Sequence, residues 1–253
     1  LIKQKAMKKL FSAFAALLMG AAAMVSCNDS NDNGGGGNGP QGPQYRVKTY
    51  SQVGEGWADV YQYTYDSEGR VTHIYREEGK DYTLVYDGSK ITMTNSGNRY
   101  AEMELGANGY VAKMTDEWDD VREYAYDAKG HMTQIKKNGE VVSEIAWEQE
   151  CLVTWTRTRD GELQTKNHTY TGTPNTNRIF NIHSEASDPS RWLYETGLFG
   201  KPSVYLCESS KWAHSDVSAV YTYDTDDNGC VVKENKNYGG EMEYFEYTWE
   251  KIE

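Results

Sequence analysis

Tyr63-Thr64-Tyr65-Asp66-Ser67-Glu68-Gly69-Arg70-Val71-Thr72-His73-Ile74 is the phrase that decides the fold. It returns almost unchanged as Tyr124-Ala125-Tyr126-Asp127-Ala128-Lys129-Gly130-His131-Met132-Thr133-Gln134-Ile135. A third copy runs Tyr221-Thr222-Tyr223-Asp224 and reaches Gly229-Cys230-Val231-Val232 after a longer turn. Weaker copies end at Tyr86-Asp87-Gly88, Leu105-Gly106-Ala107-Asn108-Gly109 and Trp147-Glu148. The early copies recur about every 20 residues, which suits one strand, turn and strand plus a connection. Asp after the last aromatic can bond the backbone further round the turn, and Gly supplies the positive φ.

Working outward, large apolar residues fall two apart. Tyr63/Tyr65, Leu84/Tyr86, Met103/Leu105, Tyr124/Tyr126, Ile145/Trp147, Val153/Trp155, Tyr221/Tyr223 and Tyr247/Trp249 are separated by mostly polar or small residues. Period two with one apolar face marks antiparallel strands that cover a core on one side. Short turns imply an all-β, up-and-down meander of about 14 strands, curled into a barrel-like sheet that protects its edges. A barrel spanning a membrane would instead turn apolar residues outward in strands of about 10 residues. Many strands here are shorter, and their polar face carries Glu and Lys, so the aromatics are expected to point inward. From 174 to 203 the alternation fades. Ser187-Asp188-Pro189-Ser190-Arg191-Trp192-Leu193-Tyr194 predicts a short helix with Pro near its start. Such an excursion within a meander is a plug, a lid, a partner-binding loop or a cap on the open end of the sheet.

The N-terminal region reads as an address. Met7-Lys8-Lys9, an apolar run from Leu10 to Met24 and small residues before Cys27 have the layout of a secretory signal. At about 15 residues the run is shorter than the ~20 needed to cross a bilayer. Residues 1–26 are therefore expected to be signal (1–6 lying upstream of the true start at Met7), residues 27–44 a flexible tether, and 45–253 a single β domain. The tether, with Asn28 to Asn33, the glycines 34–37 and Asn38 to Pro43, is too poor in apolar residues to order itself.

Composition excludes several classes. The formal charge is −12, and loss of Lys3, Lys5, Lys8 and Lys9 with an acid-free signal takes it to −16. That argues against nucleic acid and against a polybasic grip on lipid headgroups, leaving a lipid anchor as the expected membrane contact. Beyond Cys27 stand Cys151, Cys207 and Cys230; Cys207 and Cys230 could pair, with ordinary buried cysteines the plainer alternative. His73, His131, His168, His183 and His214 form no metal spacing, no nucleophile elbow is present, and no pair of carboxylates stands out. No catalytic residue is therefore expected, and no cofactor beyond one metal option. Asp224, Asp226 and Asn228 before Gly229 match the first half of a calcium loop, but the twelfth position is Asn235, and an acidic hairpin turn explains the same letters. Asn167-His168-Thr169 and the Asp119-Asp120 pair beside Trp118 read as incidental.

Val25-Ser26-Cys27 resembles a bacterial lipoprotein signal, which implies acylation of Cys27. Asp29 and Asp32 soon after it resemble the signal that sends some Bacteroidetes lipoproteins to the outer face of the outer membrane, so surface exposure is favoured over a periplasmic-facing position. With the Tyr-x-Tyr-Asp-x-x-Gly hairpins and Gly197-Leu198-Phe199-Gly200-Lys201-Pro202-Ser203, the chain from about Tyr45 onward resembles a family of Bacteroidetes lipoproteins of unknown function with a porin-like fold. The hairpin phrase alone also resembles the Tyr-Asp repeats of large secreted proteins. The resemblance implies a barrel-like sheet and no activity. The expected function is a non-catalytic binding module for a glycan, peptide, lipid or protein ligand. Its candidate ligand face is the inward aromatics Tyr63, Tyr65, Tyr126, Trp147, Trp155 and Tyr223. The alternative is a structural or adhesion lipoprotein with a packed barrel, and a hydrolase is a remote third.

Overall fold

A computed structural model describes residues 45–252 apart from 78, 160 and 181–189. The signal, the tether, Cys27 and the expected helix start at 187–189 lie outside the described residues. The first eight strands are β1 (Tyr45–Gly54), β2 (Trp57–Tyr65), β3 (Val71–Arg76), β4 (Lys80–Asp87), β5 (Lys90–Asn95), β6 (Asn98–Leu105), β7 (Val111–Asp116) and β8 (Val121–Tyr126). Then come β9 (Met132–Lys137), β10 (Glu140–Glu148), β11 (Cys151–Arg159), β12 (Glu162–Pro174), β13 (Tyr205–Trp212), β14 (Ser218–Thr225), β15 (Val231–Tyr238) and β16 (Glu241–Lys251). Each pairs antiparallel with its sequence neighbours, and β1 pairs with β16, so the sheet closes into a barrel. The meander is as expected, with sixteen strands rather than about fourteen. In such a barrel, turns alternate between two ends. The entry rim holds Tyr45 and the Tyr-Asp turns; the far rim holds the turns that follow the odd-numbered strands.

The difference in strand number has a physical source. Even-numbered strands alternate, as in Tyr61 and Tyr63 on β2 or Ala101 and Met103 on β6, which are buried. Most odd-numbered strands do not. Val47/Tyr50, Val71/Ile74, Val111/Met114, Met132/Ile135, Leu152/Trp155, Cys207/Ser210 and Val231/Glu234 are buried three apart. Between each pair the register against the preceding strand of the barrel slips by one residue, which is a β-bulge. A period-two search passes over such strands. On β11 the inward residues are Leu152 and Trp155, which corrects the expected pair Val153/Trp155.

Past the bulge, the ladder to the following strand stops. β3 pairs with β4 only as far as His73–Thr83, and β7 with β8 only as far as Lys113–Glu123. The carbonyl of the first buried residue is then left without a ladder partner, and an aromatic donor on the following strand takes it. The hydroxyls of Tyr65, Tyr86, Tyr126, Tyr170 and Tyr223 donate to the carbonyls of Val47, Val71, Val111, Leu152 and Cys207 at 2.5–2.9 Å. The indoles of Trp147 and Trp249 donate to Met132 and Val231, both at 2.7 Å. The exception is informative. β5 has no bulge against β4, and its ladder to β6 continues to Lys90–Glu104. No carbonyl is stranded there, and the residue in the aromatic's place is Leu105, which has no donor.

The β12–β13 connection replaces one entry-rim turn with a segment that folds into the lumen. Ile179, Phe180, Trp192, Leu193, Tyr194 and Phe199 are buried in the same cluster as the inward residues of the barrel wall. Trp192 stacks on Tyr61 and Tyr82, with ring centroids 5.3 and 4.8 Å away. Its carbonyl accepts from the Tyr63 hydroxyl at 2.8 Å. The helix within the segment, α1 (Arg191–Tyr194), is one turn long, and Ser190 at its N-cap makes no side-chain capping bond. Its four side chains are all buried, so packing rather than capping holds it. Of the roles expected for the excursion, the structure realises the plug.

Candidate functional site

The inward aromatics are committed to the fold. Tyr65, Tyr126, Trp147 and Tyr223 are carbonyl donors, Tyr63 holds the plug, and Trp155 is buried. These six do face the interior, but among the described residues the space beside them is occupied by the plug and by their neighbours. They are brought together as a core rather than as the wall of a cavity.

The plug is fixed by charge as well as by packing. On β15, position 234 is the inward slot that holds Ile74, Met114 and Ile135 on other strands, and here it carries a fully buried glutamate. Arg191 donates to both Glu234 oxygens, at 3.3 and 2.8 Å, and to the Tyr247 hydroxyl at 2.5 Å. Its guanidinium lies over the Phe245 ring, 3.9 Å from the centroid. Glu195, one turn further along, has an oxygen 3.7 Å from Arg191 Nε. Burial pushes the Glu195 carboxyl up to about 7; Glu234 adds to the rise and Arg191 opposes it. Sequence reasoning missed this cluster because Glu234 is spelled like any solvated carboxylate; its place in the buried three-residue spacing was the available signal.

The third hairpin differs from its expected alignment. Tyr223 pairs with Glu234 as Tyr63 pairs with Ile74, so this copy is offset by two residues and Asp226 rather than Asp224 serves the turn. Asp226 Oδ1 accepts from the amides of Asn228 and Cys230, both at 2.9 Å, and Asn228 Nδ2 donates to Oδ2. Asp66 and Asp127 do the same in their turns. Asp224 precedes the turn with an exposed side chain. Among the described residues no group of three or more His, Cys, Asp or Glu is set to hold a metal. Cys151, Cys207 and Cys230 are all buried, and Cys207 and Cys230 are not joined by a disulfide. His131 is tied to Asp127 at 3.0 Å and stacked on Trp147, a satisfied core position.

The 197–201 segment seats the plug on the barrel wall. Leu198 accepts from the Val111 amide and Lys201 donates to Gly130, both at 2.9 Å. Phe199 packs edge-on against Tyr124, and Gly197 and Gly200 both have positive φ. At Gly200 an added Cβ would lie 2.7 Å from the Gly130 carbonyl oxygen, so the approach needs glycine.

Surface features that the fold does not use gather at the far rim. Trp57, Trp118, Leu163, Val217, Tyr238 and Met242 are exposed and stand in or beside its turns; Tyr75, Val141 and Val220 lie within three residues of one. They make up nine of the twelve large apolar residues exposed among those described, the others being Val85, Val204 and Ile252. Two clefts open beside the tryptophans. One, of about 370 Å³, lies between the plug at Ser190 and Leu193 and the wall at Tyr100, Asp116, Trp118, Arg122 and Lys137. The other, of about 770 Å³, runs along Trp57, Tyr238, Met242 and Tyr244. Alternation along strands carries no information about which rim an exposed residue reaches, so the sequence did not reveal this clustering.

In fold the chain is a porin-like antiparallel barrel. It is similar to a porin-like protein from Bacteroides uniformis, at 18% identity over 81% of this chain and 96% of that one, with a TM-score of 0.65. It is also similar to a porin-like protein from Bacteroides vulgatus, at 13% identity over 83% of this chain and 100% of that one, with a TM-score of 0.56. No family model and no curated protein matches the sequence.

Proposed function

We propose that the chain is an envelope lipoprotein, anchored through Cys27, whose barrel is a non-catalytic binding module that presents its far rim. The observation that carries this reading is the concentration of exposed apolar residues at that rim, since such patches mark interaction sites. β1 begins at the opposite rim, so an anchor at Cys27 joins the barrel away from the binding face. The polarity of the wall supports a barrel that stands in water. Glu102, Glu123, Glu144 and Glu246 point outward from mid-strand, and the lumen is aromatic, the inverse of a lipid-embedded barrel.

The packed lumen favours a second reading, a structural or adhesion lipoprotein without a small-molecule ligand. Hydroxyl-radical footprinting of intact cells against the purified chain tests both. Protection of Trp57, Trp118 and Met242 in the cells is the expected result, and equal oxidation in both samples overturns the rim assignment. Palmitate labelling that survives Cys27→Ser would overturn the anchor.

A further inference from the structure

Trp118 is 75% exposed, and the backbone of the turn that carries it is held by hydrogen bonds. Asp116 Oδ1 accepts from the amides of Trp118 at 2.9 Å and Asp120 at 3.0 Å, and Asp119 is held at a φ of +64°. With the backbone of the turn already ordered, a contact to the exposed indole has only its side-chain rotamers left to immobilise. The adjoining cleft of about 370 Å³ falls toward the lower end of the ~300–1,000 Å³ range of small-molecule sites.

The polar groups of the cleft decide the ligand class. Arg122 Nη1 donates to Asp116 Oδ2 at 2.8 Å, with both side chains about nine-tenths buried. Lys137 Nζ lies 2.7 Å from Asp120 Oδ2. Burial would raise the Asp116 carboxyl, but Arg122 and the two turn amides outweigh it and hold it below its ordinary range, so it stays ionised beside its partner. A charged ligand unbalances these pairs, an anion competing with Asp116 and Asp120 for the cations and a cation competing with Arg122 and Lys137 for the carboxylates. An anion meets Glu117 as well, on a chain of formal charge −12. A wholly apolar ligand covers the pairs without replacing their water. A neutral molecule with hydroxyls on its edge and an apolar face escapes both penalties. Hydroxyls donate to Asp116 and accept from Arg122 and Lys137 together, while the apolar face stacks on the indole.

We infer that the cleft between Trp118 and the plug binds a neutral carbohydrate, with one sugar ring stacked on Trp118 and its hydroxyls on the Asp116–Arg122 pair. This rests on the far rim being the binding face.

The test uses the whole chain carrying Cys27→Ser, so that it is recovered in water. It is titrated with maltohexaose, cellohexaose, xylohexaose, mannohexaose and chitohexaose and screened on a neutral-glycan array; polygalacturonate, heparin and palmitate are the counter-probes. At least one neutral glycan is expected to bind. Trp118→Ala should weaken that binding by about tenfold or more, Trp118→Phe by less, and Val85→Ala, exposed on the outer wall of β4 away from the far rim, should leave it unchanged. Because Trp118 is exposed, both of its variants should unfold with the wild-type urea midpoint, which separates lost binding from lost fold. No binding across the array, preference for a polyanion or palmitate, or loss with Val85→Ala but not Trp118→Ala overturns the assignment. If the rim is protected on cells and no neutral glycan binds, the ligand class fails while the rim reading stands; if neither holds, both fail.

Discussion

A buried carbonyl with no donor costs about 1–3 kcal/mol, and this chain meets that cost with one aromatic hydrogen bond at each bulge described on the odd-numbered strands. Tyr126→Phe keeps the ring and removes only the donor to Val111. It is expected to lower stability to urea by about 1–2 kcal/mol; an unchanged midpoint would mean that water reaches the carbonyl. The Arg191–Glu234 contact follows a different rule. Glu234→Leu takes the bidentate carboxylate away from a buried guanidinium and is expected to cost about 3–5 kcal/mol. Arg191→Met combined with Glu234→Leu should recover most of that at pH 6, where Glu195, with its carboxyl raised to about 7, is largely neutral. If the double variant proved no better than the single one, the pair would be contributing more than mutual neutralisation. At this scale the sequence was half legible. The Tyr-x-Tyr-Asp phrase gave the strands and turns, but the second aromatic's task is visible only once the bulge that strands its acceptor is known.

Among the elements, the plug is positioned by its seat on the β8–β9 turn. Gly197→Ala and Gly200→Ala both place a side chain at positive φ, but only the second drives a Cβ against the Gly130 carbonyl and the Tyr126 ring. Gly197→Ala is expected to cost on the order of 1 kcal/mol, and Gly200→Ala more, about 2–4 kcal/mol, by urea denaturation. Equal losses would show that the seat yields. The excursion was recognisable by the failure of alternation, and the composition of 197–203 set it apart. Its destination was not legible, because no local pattern records that Trp192 will meet Tyr61 and Tyr82, which are more than 100 positions away. The even-numbered strands other than β12 were read correctly because no bulge falls between their paired residues. The odd-numbered ones were under-read because each bulge replaces a spacing of two with a spacing of three.

At the scale of the whole molecule, opposed titrations set the pH of greatest stability. The carboxyl of Glu195 is raised from about 4.5 to about 7, so its contribution is complete below pH 4.5 and is lost as pH rises through 7. The difference is worth about 3 kcal/mol at most. Asp116 and Asp127 have the opposite sign. For both, burial is outweighed by hydrogen bonds to Arg122 and the turn amides, or to His131, and the carboxyl is held low. Their contribution is present above the ordinary carboxylate range and is lost as pH falls through it. Stability should therefore peak near pH 4–5, between the two ranges, and decline on both sides, and Glu195→Gln should flatten the alkaline side alone. An unchanged alkaline limb in that variant would remove Glu195 as its source.

The seam between β1 and β16 has a consequence in time as well as in space. It joins residues such as Arg46 and Glu250, 204 positions apart, so the wall cannot close before its last strand is available. Closure over so long a loop is slow compared with the hairpins that precede it. A chain threaded outward from its N-terminal end would thus keep an open, deformable sheet throughout its passage and become rigid only after its tail had followed.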